Sequence, residues 1–234
     1  MTRRILIFAS AVVLAAGSGV AAGEYRDGAV SNAVTIQGPH AKMIVLPNAP
    51  VWDTMAHNDN GTGLVTIFSS LASKYPKGIY WCCTGYNVMG SNSGVGEQWM
   101  GGAFTPGVDH TLTRIEVAVG YSGQGPSGVV ISINDDNGGI PGKTLKKWSV
   151  SGLPVFGTCC TVVVKTDKTG IALSGGKQYW VVLSTNSQET DTVDGWNVSD
   201  ADQVDQANFA SYDGSVWHTF QTAPGLAFAI KGSH

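Results

Sequence analysis

The chain has 234 residues, 31 of them glycine, with only 13% charged side chains and a formal net charge of −3. So few Lys, Glu and Arg exclude a protein built mainly from solvent-facing helices. An acidic balance without any basic run excludes a surface made for nucleic-acid backbones.

Arg3 and Arg4 precede an almost wholly apolar run, Ile5 to Ala16, and small residues follow at Val20-Ala21-Ala22-Gly23. That order is a secretory signal peptide with a cleavage point near Ala22 or Gly23. The apolar run falls short of the ~20 residues that a spanning helix needs. No Cys follows the small residues, which speaks against a lipoprotein. The expected division is a signal peptide at 1–23, an N-terminal arm at 24–62 and one β domain at 63–234. Cleavage would remove two positive charges, taking the net from −3 to −5, and would leave no membrane span. The expected location is secreted, periplasmic or at the cell surface.

The arm has weak periodicity and ends in the turn-rich run His57-Asn58-Asp59-Asn60-Gly61. Strands are expected in it at Val34–Gln37 and Met43–Leu46. About 40 residues bury too little core to stand alone. Ile67–Lys74 leaves room for a short helical turn. Beyond it, strands are expected near Ile79–Cys82 and Gln98–Phe104. In Thr111–Gly120, Ile115, Val117 and Val119 point one way and Arg114 and Glu116 the other. The same alternation recurs around Val129, Ile131 and Ile133, and around Tyr179, Val181 and Leu183. It appears again at Leu226, Phe228 and Ile230. Leu145–Val150, Thr158–Thr166 and Val216–Phe220 complete the set. Turn clusters separate these runs at Asp135–Gly142, Tyr121–Pro126, Ser174–Gly176 and Asp213-Gly214. Many short strands between such turns predict an all-β, antiparallel, two-sheet β-sandwich of jelly-roll type.

Four cysteines occur as two doublets, Cys82-Cys83 and Cys159-Cys160. An even count in an exported chain predicts disulfides. Adjacent strand residues face opposite sides, so each doublet offers one thiol to either face. Three connectivities are open, one of them a strained vicinal bridge within each doublet. A crosslink over ~75 residues contributes ~4–5 kcal/mol on the chain-entropy model. Zinc binding and redox catalysis want spaced cysteines rather than doublets.

Catalytic signals are lacking. The five histidines fall in no metal-ligand spacing, and Gly90-Ser91-Asn92-Ser93-Gly94 has Asn where a nucleophile elbow needs Ser. No catalytic and no metal-binding residues are assigned. Two features suggest binding. One is an acidic stretch of Glu189, Asp191, Asp194, Asp200, Asp202 and Asp205 without an intervening Lys or Arg. Its carboxylates suit Ca²⁺, the one cofactor the sequence leaves open, although EF-hand order is missing. The bland reading of this stretch is a solvated loop. The other feature is a set of seven Trp, whose flat faces suit sugar rings. Trp81 and Trp180 lie in apolar strands and are expected in the core. Trp196, in Asp194-Gly195-Trp196-Asn197, is the expected exposed aromatic. Asp191, Asp194 and Trp196 are therefore the candidate ligand-binding residues.

Further motifs occur in order: Thr66-Ile67-Phe68-Ser69-Ser70-Leu71, Gly94 to Gln98, and Ala103-Phe104-Thr105-Pro106. Ile131-Ser132-Ile133-Asn134-Asp135, Gly139-Ile140-Pro141-Gly142, Ile171–Gly176 and Tyr179-Trp180-Val181-Val182 follow. Over about residues 63 to 232 this pattern resembles the choice-of-anchor R type of domain of exported bacterial proteins. The resemblance implies a β-sandwich, export and often surface attachment, with no catalytic residues to carry over. The stretch Ala229–His234 lacks a hydrophobic tail or sortase-like motif, so free secretion or periplasmic residence is expected over anchoring. The expected role is a non-catalytic structural or adhesion-like module, with a polysaccharide or a surface protein as partner. The alternatives are a carbohydrate-binding module using exposed Trp, and a secreted hydrolase.

Overall fold

The computed structural model describes residues 33–38, 41–46, 63–71, 80–158, 163–186, 190–199, 209–220 and 225–234. The signal peptide, Cys159, Cys160, Glu189, Asp200, Asp202 and Asp205 lie outside these residues. The described part is all-β, with antiparallel strand pairing and no helix.

The strands in chain order are β1 (Val34–Gln37), β2 (Lys42–Val45), β3 (Val65–Ser69), β4 (Trp81–Met89) and β5 (Trp99–Phe104). Next come β6 (His110–Val117), β7 (Val119–Gln124), β8 (Gly128–Asp136), β9 (Pro141–Ser151) and β10 (Val163–Leu173). The last five are β11 (Tyr179–Ser184), β12 (Val193–Val198), β13 (Phe209–Tyr212), β14 (Trp217–Phe220) and β15 (Phe228–Ser233). They form three sheets where the alternation pattern predicted two. The first is ordered β1-β2-β4-β12-β7, the second β10-β6-β15-β3 and the third β14-β13-β5-β11-β8-β9.

One apolar cluster joins all three sheets. Tyr86, Val88, Trp196 and Val198 enter it from the first, Leu112, Ile115, Val117 and Ile230 from the second. Met100, Ile131, Ile133, Val181 and Leu183 enter from the third. The period-two alternation predicted these inward positions correctly in β6, β8 and β11. The run Ile115-Val117-Val119 is divided, however. At Ala118 the chain leaves the second sheet and enters the first, anchored by Ala118 N–H donating to Ala227 O at 3.1 Å.

Several expectations are corrected. Residues 65–69 form β3, so the start of the expected helical turn is a strand paired with β15. Residues 193–198, read as part of a solvated acidic loop, form β12 at the centre of the first sheet. The polar face of β6 is only partly solvated. Glu116 is fully buried, with Arg114 Nη2 at 2.7 Å and Lys231 Nζ at 3.2 Å. Charges out of water need such partners. The hairpin β1–β2 from the arm is bonded to β4 through Met43–Tyr86 and Val45–Thr84 pairing, and so belongs to the first sheet.

Glycines shape the outer surface of that sheet. An added Cβ would lie 2.6 Å from the Phe156 ring at Gly195 and 2.7 Å from Phe156 Cα at Gly120. Only glycine lets the 153–158 loop come so close. Phe156 is buried on this floor, and its N–H donates to Tyr121 O at 2.8 Å.

Candidate functional site

The three residues singled out for ligand contact do not form a surface site. Trp196 is fully buried, and its indole Nε1 donates to Ala227 O at 3.0 Å. Asp194 is also fully buried, whereas Asp191 is exposed. The sequence could not show this, because β12 is covered by residues far away in the chain, Phe228 against Trp196 and Phe156 against Gly195. Trp180 is buried as expected, its Nε1 donating to Asp136 Oδ1 at 2.8 Å. Trp81 is not: it is 49% exposed at the start of β4. Among the described residues no group of three His, Cys, Asp or Glu could hold a metal ion.

The cysteines differ between themselves. Cys82 is held in a disulfide whose partner lies outside the described residues. Its Sγ lies 3.7 Å from Gly157 O, and Tyr80 donates its hydroxyl to Thr158 O at 3.2 Å. Cys83 carries a free thiol, buried in an apolar cluster with Tyr80 and Ala118, where a bridge was expected. Burial pushes that thiol's pKa up.

A cleft opens where the β1–β2 hairpin of the first sheet faces the β13–β14 hairpin of the third. Its volume is about 390 Å³, within the range of small-ligand sites. Gln37, Ala41 and Lys42 line one wall, and Ser211, Tyr212, Asp213, His218 and Phe220 the other. Gly96, Glu97 and Gln98, leading into β5, complete the lining.

Each wall is fixed by local chemistry. Gln98 is buried and clasps β2: its Nε2 donates to Lys42 O at 2.9 Å, and its Oε1 accepts from Lys42 N–H at 2.8 Å. The same Nε2 reaches Asn87 O at 2.8 Å. Lys42 Nζ donates to Val95 O. Across the cleft, Asp213 caps the β13–β14 turn. It accepts from Val216 N–H at 3.0 Å, His218 Nε2 at 2.8 Å, Ser215 Oγ at 2.7 Å and Ser215 N–H at 2.9 Å. These donors, Val216 N–H foremost, hold its carboxyl well below the usual carboxylate range. Gly214 takes φ 92° in that turn, a left-handed conformation that favours glycine.

Two polar groups remain unspent. Neither the Glu97 carboxylate nor the Ser211 hydroxyl has a partner among the described residues. A Cβ added to Gly214 would lie 3.2 Å from Glu97 Oε2, so that carboxylate rests against the turn. On the outer face of β13, Tyr212 pairs in register with both Trp99 and Trp217. Its ring stacks on Trp99 at 4.6 Å and tilts against Trp217 at 5.5 Å. The three rings cover one another's faces, so the row braces the edge hairpin.

Sequence reasoning missed Glu97, Ser211 and His218 as cleft residues. The Asp213-Gly214 pair was legible as a turn, but nothing local indicated which strand would face it. No family model, curated protein or solved structure matches the chain.

Proposed function

We propose that the protein is an exported, non-catalytic β-sandwich module that binds a carbohydrate in the cleft between β1–β2 and β13–β14. The observation that carries this reading is the lining of the cleft. Amide, carboxylate, hydroxyl and imidazole groups stand beside Phe220 in a space of about 390 Å³. Planar polar side chains with an aromatic suit the alternating hydroxyls and C–H faces of a sugar. Export rests on the charge, apolar and small-residue order of residues 1–23. The resemblance to choice-of-anchor R domains agrees with export and with a non-catalytic role.

Asp213 supports binding over hydrolysis. Its carboxylate is occupied by four donors and held ionised, which suits an anchor and not a proton donor. The test is a glycan array probed with the mature protein, with and without Ca²⁺. His218→Ala and Gln37→Ala change exposed side chains and leave the core intact. The expected result is saturable binding that these variants weaken by about tenfold. Sugar release from any bound glycan would replace this reading with a hydrolase.

An adhesion role is the second reading. It is favoured by β1, an edge strand with Val34 and Ile36 exposed, open to pairing with a strand of a protein partner. An array without any bound glycan would put this reading first.

A further inference from the structure

Building on the carbohydrate reading, we infer that the cleft selects sugars that carry a free amine. The inference follows from which lining groups are already engaged. Asp213 is filled by Val216, Ser215 and His218. The Lys42 ammonium donates to the Val95 carbonyl, and no ion pair joins it to Glu97. Gln98 is spent on the backbone of Lys42 and Asn87. Glu97 and Ser211 are what the protein leaves for a ligand.

A carboxylate accepts hydrogen bonds and donates none. A ligand that meets Glu97 must therefore bring donors. A hydroxyl qualifies, but a protonated amine gives a charge-assisted bond roughly twice as strong. An N-acetyl group replaces the charged donor with a neutral, bulkier one. A uronic acid sets a second carboxylate against Glu97 and Asp213, which costs affinity. The ligand class is thus a glucosamine-type oligosaccharide with unsubstituted amines.

The experiment is calorimetric titration at about pH 6, where amines of this kind are protonated. The probes are a glucosamine hexamer, the N-acetylglucosamine hexamer and a galacturonic acid hexamer. The full-length mature protein should bind the glucosamine hexamer about tenfold more tightly than the acetylated one, and the uronate weakest. Glu97→Gln should bring the first two ligands to within about twofold. Ser211→Ala should weaken both and preserve their ratio. Thermal unfolding of each variant confirms that the fold is kept. Equal binding of acetylated and free-amine hexamers by the wild-type protein would overturn amine selection and leave the carbohydrate reading standing. A preference that survives Glu97→Gln would do the same. Failure of all three hexamers, with an array that also shows no glycan, would overturn both.

Discussion

At the scale of single residues, burial separates side chains that look alike in sequence. Trp81 and Trp196 both sit in strands with a glycine or cysteine neighbour, yet one is 49% exposed and the other fully buried. Trp196 packs edge-on against Phe228 at 5.9 Å and donates its indole proton to Ala227. Its truncation would leave a large void and take one of two donors from the Ala227 carbonyl. Trp196→Ala is therefore expected to cost ~3–5 kcal/mol of unfolding free energy, measured by urea denaturation. A loss below ~1 kcal/mol would place this ring outside the core.

At the scale of elements, the β13–β14 hairpin depends on Asp213. Its folded pKa lies below the ordinary value. The ionised form thus adds stability above the ordinary carboxyl pKa near ~4, and that stability is lost as pH falls from there. Asp213→Asn keeps the size of the side chain but removes this titration. Thermal midpoints measured from about pH 5 down to pH 2 should fall less steeply in the variant than in the wild-type protein. Equal slopes would show that the turn does not depend on the charge. Asp167 titrates in the same direction through Lys146 and Thr169, so part of the slope remains. On the other face of the hairpin the Trp99, Tyr212 and Trp217 row holds the edge strands together without any contribution from charge.

At the scale of the whole molecule, one core serves three sheets. Phe156, seated on the glycine floor of the first sheet, brings Gly157 and Thr158 beside Cys82 and Tyr80. That approach points to the second doublet as the partner of Cys82. A non-reducing peptide map is expected to link the Cys82 peptide to the one bearing Cys159-Cys160. Cys83, buried and with a raised pKa, should react with iodoacetamide only after denaturation. Rapid labelling of Cys83 in the native protein, or a Cys82 peptide found alone, would contradict this arrangement.

The sequence by itself determined the all-β class, most strand positions and the turns, because these follow from local alternation and from Gly, Asn, Asp and Pro chemistry. Val34–Gln37 was legible to the residue, and Tyr179–Ser184 nearly so. Period two gives the parity of side chains but not what covers each face. Hence Glu116 and Asp194 look solvent-facing and are buried, and Trp81 looks internal and is exposed. The division into three sheets, the sheet switch at Ala118 and the cleft itself were decided only by tertiary structure. Each depends on contacts between residues far apart in the chain, such as Lys42 with Gln98 and the β1–β2 hairpin with β13–β14. No local pattern encodes those meetings, since they arise from the packing of whole strands around a shared core.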